Sequence, residues 1–313
     1  MNRYPFCLFR IPENGGRVLW EITNTCNYHC SYCIFSSETI KYENELMTDE
    51  VKRTIKELKE NNFTYIKFTG GEPFTRKDMT EILKYAKELG FDMDISTNAS
   101  LITEKIAKEL KDINFLMVHV SLDGADKNSH EFVRGKDTFE RTLRGIKYLT
   151  QNDIYTRIGT VIYKQNEDRL EDIVKLAIEL KANEIIFSFM EAVGRLEGDD
   201  TIISKKTIGA VSNEIDKLAL KYGKQIQVKY SFTENKVCKS EECCPAVKKF
   251  LYINNLGQVS PCTWVVANNS EYQSKLTLKN YTFREIINSE PIQNYLKYIE
   301  ENQIKGCPVS RRK

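Results

Sequence analysis

The sequence has no apolar run long enough to span a bilayer, and its start, MNRYPFCLFRIPENGG, lacks the apolar core of a secretory signal. No membrane association is expected, and the cytoplasm is the expected compartment. Neither sign of charge dominates: 46 Lys and Arg stand against 44 Asp and Glu, for a net charge of +2. Such a balance gives no global field to steer the chain toward nucleic acid, which is therefore not an expected partner. Repeats and low-complexity stretches are absent too. Histidine is scarce, and His29, His119 and His130 stand far apart in sequence, so each is expected in an ordinary surface or core role.

Cysteine, by contrast, is plentiful. There are 9, yet none occurs from Ile34 through Val237. In a reducing compartment such thiols more often bind metal or do chemistry than form disulfides. The gap separates Cys26, Cys30 and Cys33, with Cys7 alone upstream, from Cys238, Cys243, Cys244, Cys262 and Cys307. Two metal-binding regions at the ends of one scaffold are the expectation. With 41% hydrophobic and 29% charged residues in 313, the chain is globular and long enough for one barrel with an appendage.

The trio has the spacing C-x3-C-x2-C and follows an apolar, strand-like run from Arg17 to Thr23. Thiolates so spaced on one loop can converge on one centre, and soft sulfur selects zinc, copper(I) or iron–sulfur over magnesium or calcium. A structural zinc site takes four protein ligands. Three suit a cubane with one iron left open, although packing or a zinc ion is a competing explanation. After the next strand, Thr64–Thr69, comes Gly70-Gly71-Glu72-Pro73. Two glycines let the backbone approach a ligand closely, and the Glu72 carboxylate suits an amino-acid-like head group.

From Arg17 onward strands and helices alternate. Helices are expected near 48–61, capped by Thr48, and from Asp78 with a capping box to Glu81. Others follow near 103–111, 138–151 and 170–180. Strands are expected at 64–69, 91–97, 114–121, 155–163 and 184–190, the last of the series. Six such steps imply a parallel sheet with right-handed crossovers: an α/β partial (β/α)6 TIM-like barrel. Its strand C-terminal ends would gather the cysteine loop, GGEP, Ser96, Asn98 and Ser121 at one mouth. A helix over 201–223 links the barrel to the tail. Beyond it, Cys238, Cys243, Cys244 and Cys262 surround an expected β-hairpin, 250–254 with 258–260. Four-thiolate zinc fits that cysteine count as well as a cluster does.

The C-x3-C-x-aromatic-C motif, with Tyr32 as the aromatic, followed one βα step later by GGE, resembles the radical S-adenosylmethionine (SAM) enzymes. CPAVKKFLYINNLGQVSPC resembles the auxiliary-cluster region of their SPASM and twitch members. The first resemblance covers about residues 17–200. It implies a [4Fe–4S] cluster on Cys26, Cys30 and Cys33, with SAM held by Gly70, Gly71, Glu72 and Pro73. More weakly it adds Ser96, Asn98, Ser121, Asp123 and Arg134 to the SAM contacts. The implied reaction is one-electron cleavage of SAM to a 5′-deoxyadenosyl radical that takes hydrogen from a substrate. An external donor such as flavodoxin or ferredoxin would supply the electron. The second resemblance implies an auxiliary [4Fe–4S] cluster on Cys238, Cys244, Cys262 and Cys307. Because the chain ends six residues after Cys307, the shorter twitch form is expected. The choice between Cys243 and Cys244 stays open. A spare Cys243, or Cys7, is a candidate hydrogen-atom donor.

The implied organisation is a lead-in (1–16), the radical SAM core (17–200), a linker helix and strand (201–231) and a twitch-type domain (232–313). A ribosomal peptide or protein is the expected substrate, through crosslinking, epimerisation or oxidation. No peptide-recognition domain precedes Arg17, which counts against it. A small molecule such as an aminocyclitol is the alternative substrate. A non-catalytic metal-binding scaffold is the alternative of another class, although a scaffold has no need of an amino-acid clamp.

Overall fold

The structure is a computed structural model and describes residues 14–40, 43–113, 115–190, 192, 194–199, 202, 204–231 and 244–304. Its centre is β1 (Gly16–Thr23), buried along its whole length. Val18, Trp20 and Ile22 point outward to the helices, and the Trp20 ring stacks on Phe68 at 6.1 Å. Alternation then follows the sequence pattern: α1 (Thr48–Glu60), β2 (Phe63–Gly70), α2 (Met79–Glu88), β3 (Asp92–Thr97), α3 (Glu104–Ile113) and β4 (Met117–Ser121). Next come α4 (Lys127–Arg134), α5 (Phe139–Gln151), β5 (Thr156–Ile162), α6 (Leu170–Glu179) and β6 (Glu184–Phe189). β1 to β6 are parallel neighbours in chain order, as a partial (β/α)6 barrel requires.

Some expectations need correcting. β6 is not the last strand: α7 (Ile208–Tyr222) returns the chain so that β7 (Gln227–Tyr230) adds parallel to β6. The hairpin forms from β8 (Phe250–Ile253) and β9 (Val259–Ser260), and β8 also adds parallel to β1, Leu19 facing Tyr252. Alternating patterns do not encode which sheet edge a distant strand completes. Thr48 is not the cap of α1. Met47 is, its N–H donating to the Glu50 carboxylate at 2.7 Å, while the Thr48 hydroxyl donates to Asp78. Asp78 consequently makes no capping box: Arg76 and Thr48 occupy its carboxylate. α4 was not anticipated, because a two-turn helix with few apolar residues gives weak periodicity. Asp126 caps it, accepting from the Ser129 N–H at 2.9 Å, and Gly135 ends it at φ +94°.

Three further helices, α8 (Thr263–Asn268), α9 (Phe283–Ile287) and α10 (Glu290–Glu301), complete the described chain. Pro291 lies in the first turn of α10, where a missing N–H costs nothing. Among the described residues no helix is long and apolar enough to cross a membrane.

Candidate functional site: a cysteine loop over the barrel mouth

The loop after β1 carries the trio and lies against the turn after β2. The Gly71 N–H donates to Thr23 O at 2.7 Å and the Glu72 N–H to Thr25 O at 2.9 Å. A Cβ on Gly70 would lie 2.1 Å from Thr23 O, and one on Gly71 2.2 Å from Thr25 O. Gly70 also holds φ +135°. The glycines thus allow close approach of the cysteine loop. Glu72 is fully buried. Its carboxylate accepts from Thr97 Oγ1 (2.7 Å), the Phe74 N–H (3.1 Å) and the Asn98 N–H (2.7 Å). Those bonds leave Oε2 with capacity for one more donor. Burial, against these hydrogen bonds, raises its pKa to about 7.

Each sulfur of the trio has an N–H aimed at it. Tyr28 N–H points to Cys26 at 3.4 Å, Ser37 N–H to Cys33 at 3.5 Å, and Arg134 Nη1 to Cys30 at 3.9 Å. Burial pushes the Cys26 thiol up to about 12 and the Cys30 thiol upward as well, with Arg134 opposing the latter. Such thiols stay protonated until a metal takes them. Among the described residues no three His, Cys, Asp or Glu side chains are grouped to hold a metal ion. The donor chemistry nevertheless fits an iron–sulfur cluster: three soft ligands on one loop, each sulfur with a hydrogen-bond donor.

Behind Cys30 sits a buried knot. Asp123, at zero exposure, accepts from Arg134 Nε at 2.6 Å, from the Tyr32 hydroxyl and from the Val161 N–H at 2.9 Å. Arg134 also donates to Tyr32 Oη and lies over its ring. α4 delivers Arg134, and Val133 O accepts the Ser31 N–H at 2.9 Å, so this helix holds the cysteine loop down. Asn98 donates to Asn27 on that loop at 3.0 Å. Ser96 and Ser121 face the barrel cavity instead.

Sequence reasoning missed Arg195. Its backbone N–H donates to Cys33 O at 3.0 Å, and its guanidinium to Cys30 O and to Ser37 O at 2.6 Å. No motif marks it; only its fold position does. It missed His119 as well, which lines the cavity. Cys244 and Cys262 flank the β8–β9 hairpin, both half-buried, and the Tyr295 hydroxyl lies 3.5 Å from Cys244 Sγ. Cys7, Cys238, Cys243 and Cys307 lie outside the described residues.

The family model of the radical SAM superfamily matches residues 20–177, half of the chain. The chain belongs to the radical SAM superfamily. Its members use SAM and a [4Fe–4S] cluster, and the fit of the cysteine loop accords with that. Fe-coproporphyrin III synthase of Methanosarcina barkeri is 37% identical over 178 residues, 57% of this chain and 45% of that protein. AdoMet-dependent heme synthase of the same organism is 29% identical over 327 residues, 96% of this chain and 90% of that one. PqqA peptide cyclase of Bradyrhizobium diazoefficiens is 32% identical over 169 residues, 54% of this chain and 44% of that one. The first and third matches thus take in less than half the length of those relatives. Among solved structures, Streptococcus suis SuiB bound to precursor peptide SuiA superposes with TM-score 0.73 at 19% identity, over 92% of this chain and 67% of that one. That likeness concerns the fold.

Proposed function

We propose that the chain is a radical SAM enzyme that modifies a ribosomally made peptide or protein. The observation that carries the radical SAM part is the cysteine loop, three sulfurs each met by an N–H and seated on GGEP. Cys26, Cys30 and Cys33 would hold the cluster, which with SAM supplies a 5′-deoxyadenosyl radical when both are bound. Glu72 orients the turn and keeps one acceptor position for an ammonium group. Asp123 and Tyr32 fix the Arg134 guanidinium, which would meet the SAM carboxylate. Gly70, Pro73, Ser96, Asn98 and Ser121 remain proposed SAM contacts. Similarity to a peptide cyclase supports the peptide substrate.

Further parts of the reading are an auxiliary [4Fe–4S] cluster on Cys238, Cys244, Cys262 and Cys307 in a twitch-type domain, a flavodoxin- or ferredoxin-like donor, and a cytoplasmic setting. A second reading, a tetrapyrrole substrate, is favoured by the match to a heme synthase over 96% of this chain.

Iron and sulfide per chain after anaerobic reconstitution test the reading. We expect about eight irons in the wild type and about four in the Cys26/Cys30/Cys33→Ala variant, with SAM cleavage lost. Equal iron in both proteins would overturn the assignment of the trio. Mass change in a candidate peptide, against turnover of a tetrapyrrole, separates the two substrates.

A further inference from the structure

The barrel interior is a cavity of about 620 Å³, not the layered apolar filling usual in closed barrels. Its floor, near the strand N-terminal ends, holds two matching triads. Asp94 lies between Arg17 at 3.1 Å and Lys67 at 3.2 Å, and the Tyr65 hydroxyl donates to it at 2.8 Å. Glu184 lies between Arg157 at 2.6 Å and Lys229 at 2.9 Å, and the Tyr155 hydroxyl donates to it at 3.2 Å. Among the described residues each triad has two cations for one carboxylate. Arg134, higher on the wall, is matched by Asp123. Among the described residues lining the cavity there is no third carboxylate.

His119 stands between the triads on β4. Its ring lies over Gly159 on β5, where a Cβ would fall 2.0 Å from His119 Nε2. The glycine makes room for the imidazole inside the barrel. Burial, then Lys67 and Arg157, lower the His119 pKa to about 3, so the ring is neutral and offers a hydrogen bond, not a charge. Burial likewise disfavours the Lys67 ammonium. A cavity wall whose described residues carry more cations than carboxylates resists any further proton and favours an anion.

We propose that this floor is a carboxylate-binding subsite for the substrate, with the carboxylate between Lys67 and Arg157 and hydrogen-bonded to His119. It deepens the reading of the mouth as the reaction site and rests on it: a substrate anchored below presents its other end to the cysteine loop. The shared chemistry has two sources, an acidic peptide side chain or a tetrapyrrole propionate.

Calorimetric titration of the full chain tests this with two probe pairs. One is an alanine-based peptide carrying glutamates and its glutamine counterpart. The other is iron coproporphyrin III and its tetra-amide. At least one acid should bind about tenfold or more tighter than its amide, as charge-assisted hydrogen bonds allow. Lys67→Met with Arg157→Met should abolish that preference, and Arg157→Lys should keep most of it. Acid and amide forms that bind alike to the wild type, or not at all, overturn the subsite whatever the variants do. So does a preference that survives in a double variant whose melting curve is native-like. Carboxylate-dependent binding confined to the tetrapyrrole supports the subsite and overturns the peptide substrate. Peptide binding indifferent to carboxylates, with no acid preference for the tetrapyrrole either, does the reverse.

Discussion

The mouth and the floor of the barrel are both polar, yet they settle their charges differently. At the mouth each buried anion is surrounded by its own donors: Glu72 by Thr97, Phe74 and Asn98, and Asp123 by Arg134, Tyr32 and Val161. Among the described residues the floor carries two cations per carboxylate. A site whose hydrogen bonds are made mostly among its own residues is preorganised, and holds a reactive group in place. A site with surplus charge is incomplete without a ligand. The two ends of the barrel thus divide the work into positioning and capture.

Removing one anion from each end contrasts them most sharply. Asp123→Asn strands Arg134, whose guanidinium cannot give up its proton, and should cost about 3–5 kcal/mol by denaturant titration. Gly71→Ala forces a methyl against Thr25 O and should cost about 2–3 kcal/mol, with weakened cluster binding measured as iron per chain. A melting curve and iron content equal to the wild type would show that loop and turn are not in contact. Asp94→Asn should cost less, about 1–3 kcal/mol, because Lys67 can shed its proton and relieve the floor. If Asp94→Asn proves costlier than Asp123→Asn, the contrast fails.

The smallest effect is on pH dependence. His130, fully buried behind Asp123, has its pKa lowered to about 3 from 6.5 by burial and then by Arg134. Between those values the unfolded chain takes up a proton that the folded chain refuses. Stability therefore falls on acidification through 6.5, by about 1.4 kcal/mol per pH unit at most. Urea titrations at several pH values should show that slope lessened in His130→Gln.

The legible part of this protein was local. C-x3-C-x2-C and GGEP are contiguous, and their chemistry depends on spacing along one loop or turn. The βα alternation is likewise a short-range signal, and it sufficed for six parallel strands. Tertiary structure decided the rest. Arg17, Lys67, Asp94, Arg157 and Glu184 come from five strands and form a floor because alternate side chains point inward at matching heights. No pattern along the chain marks them. Arg195 reaches the cysteine loop from the far side of β6, and β8 completes the edge of β1 across more than half the sequence. Motifs fix which chemistry a loop can perform. Which side chains then face one another across a barrel depends on strand register, and that is settled only when the sheet forms.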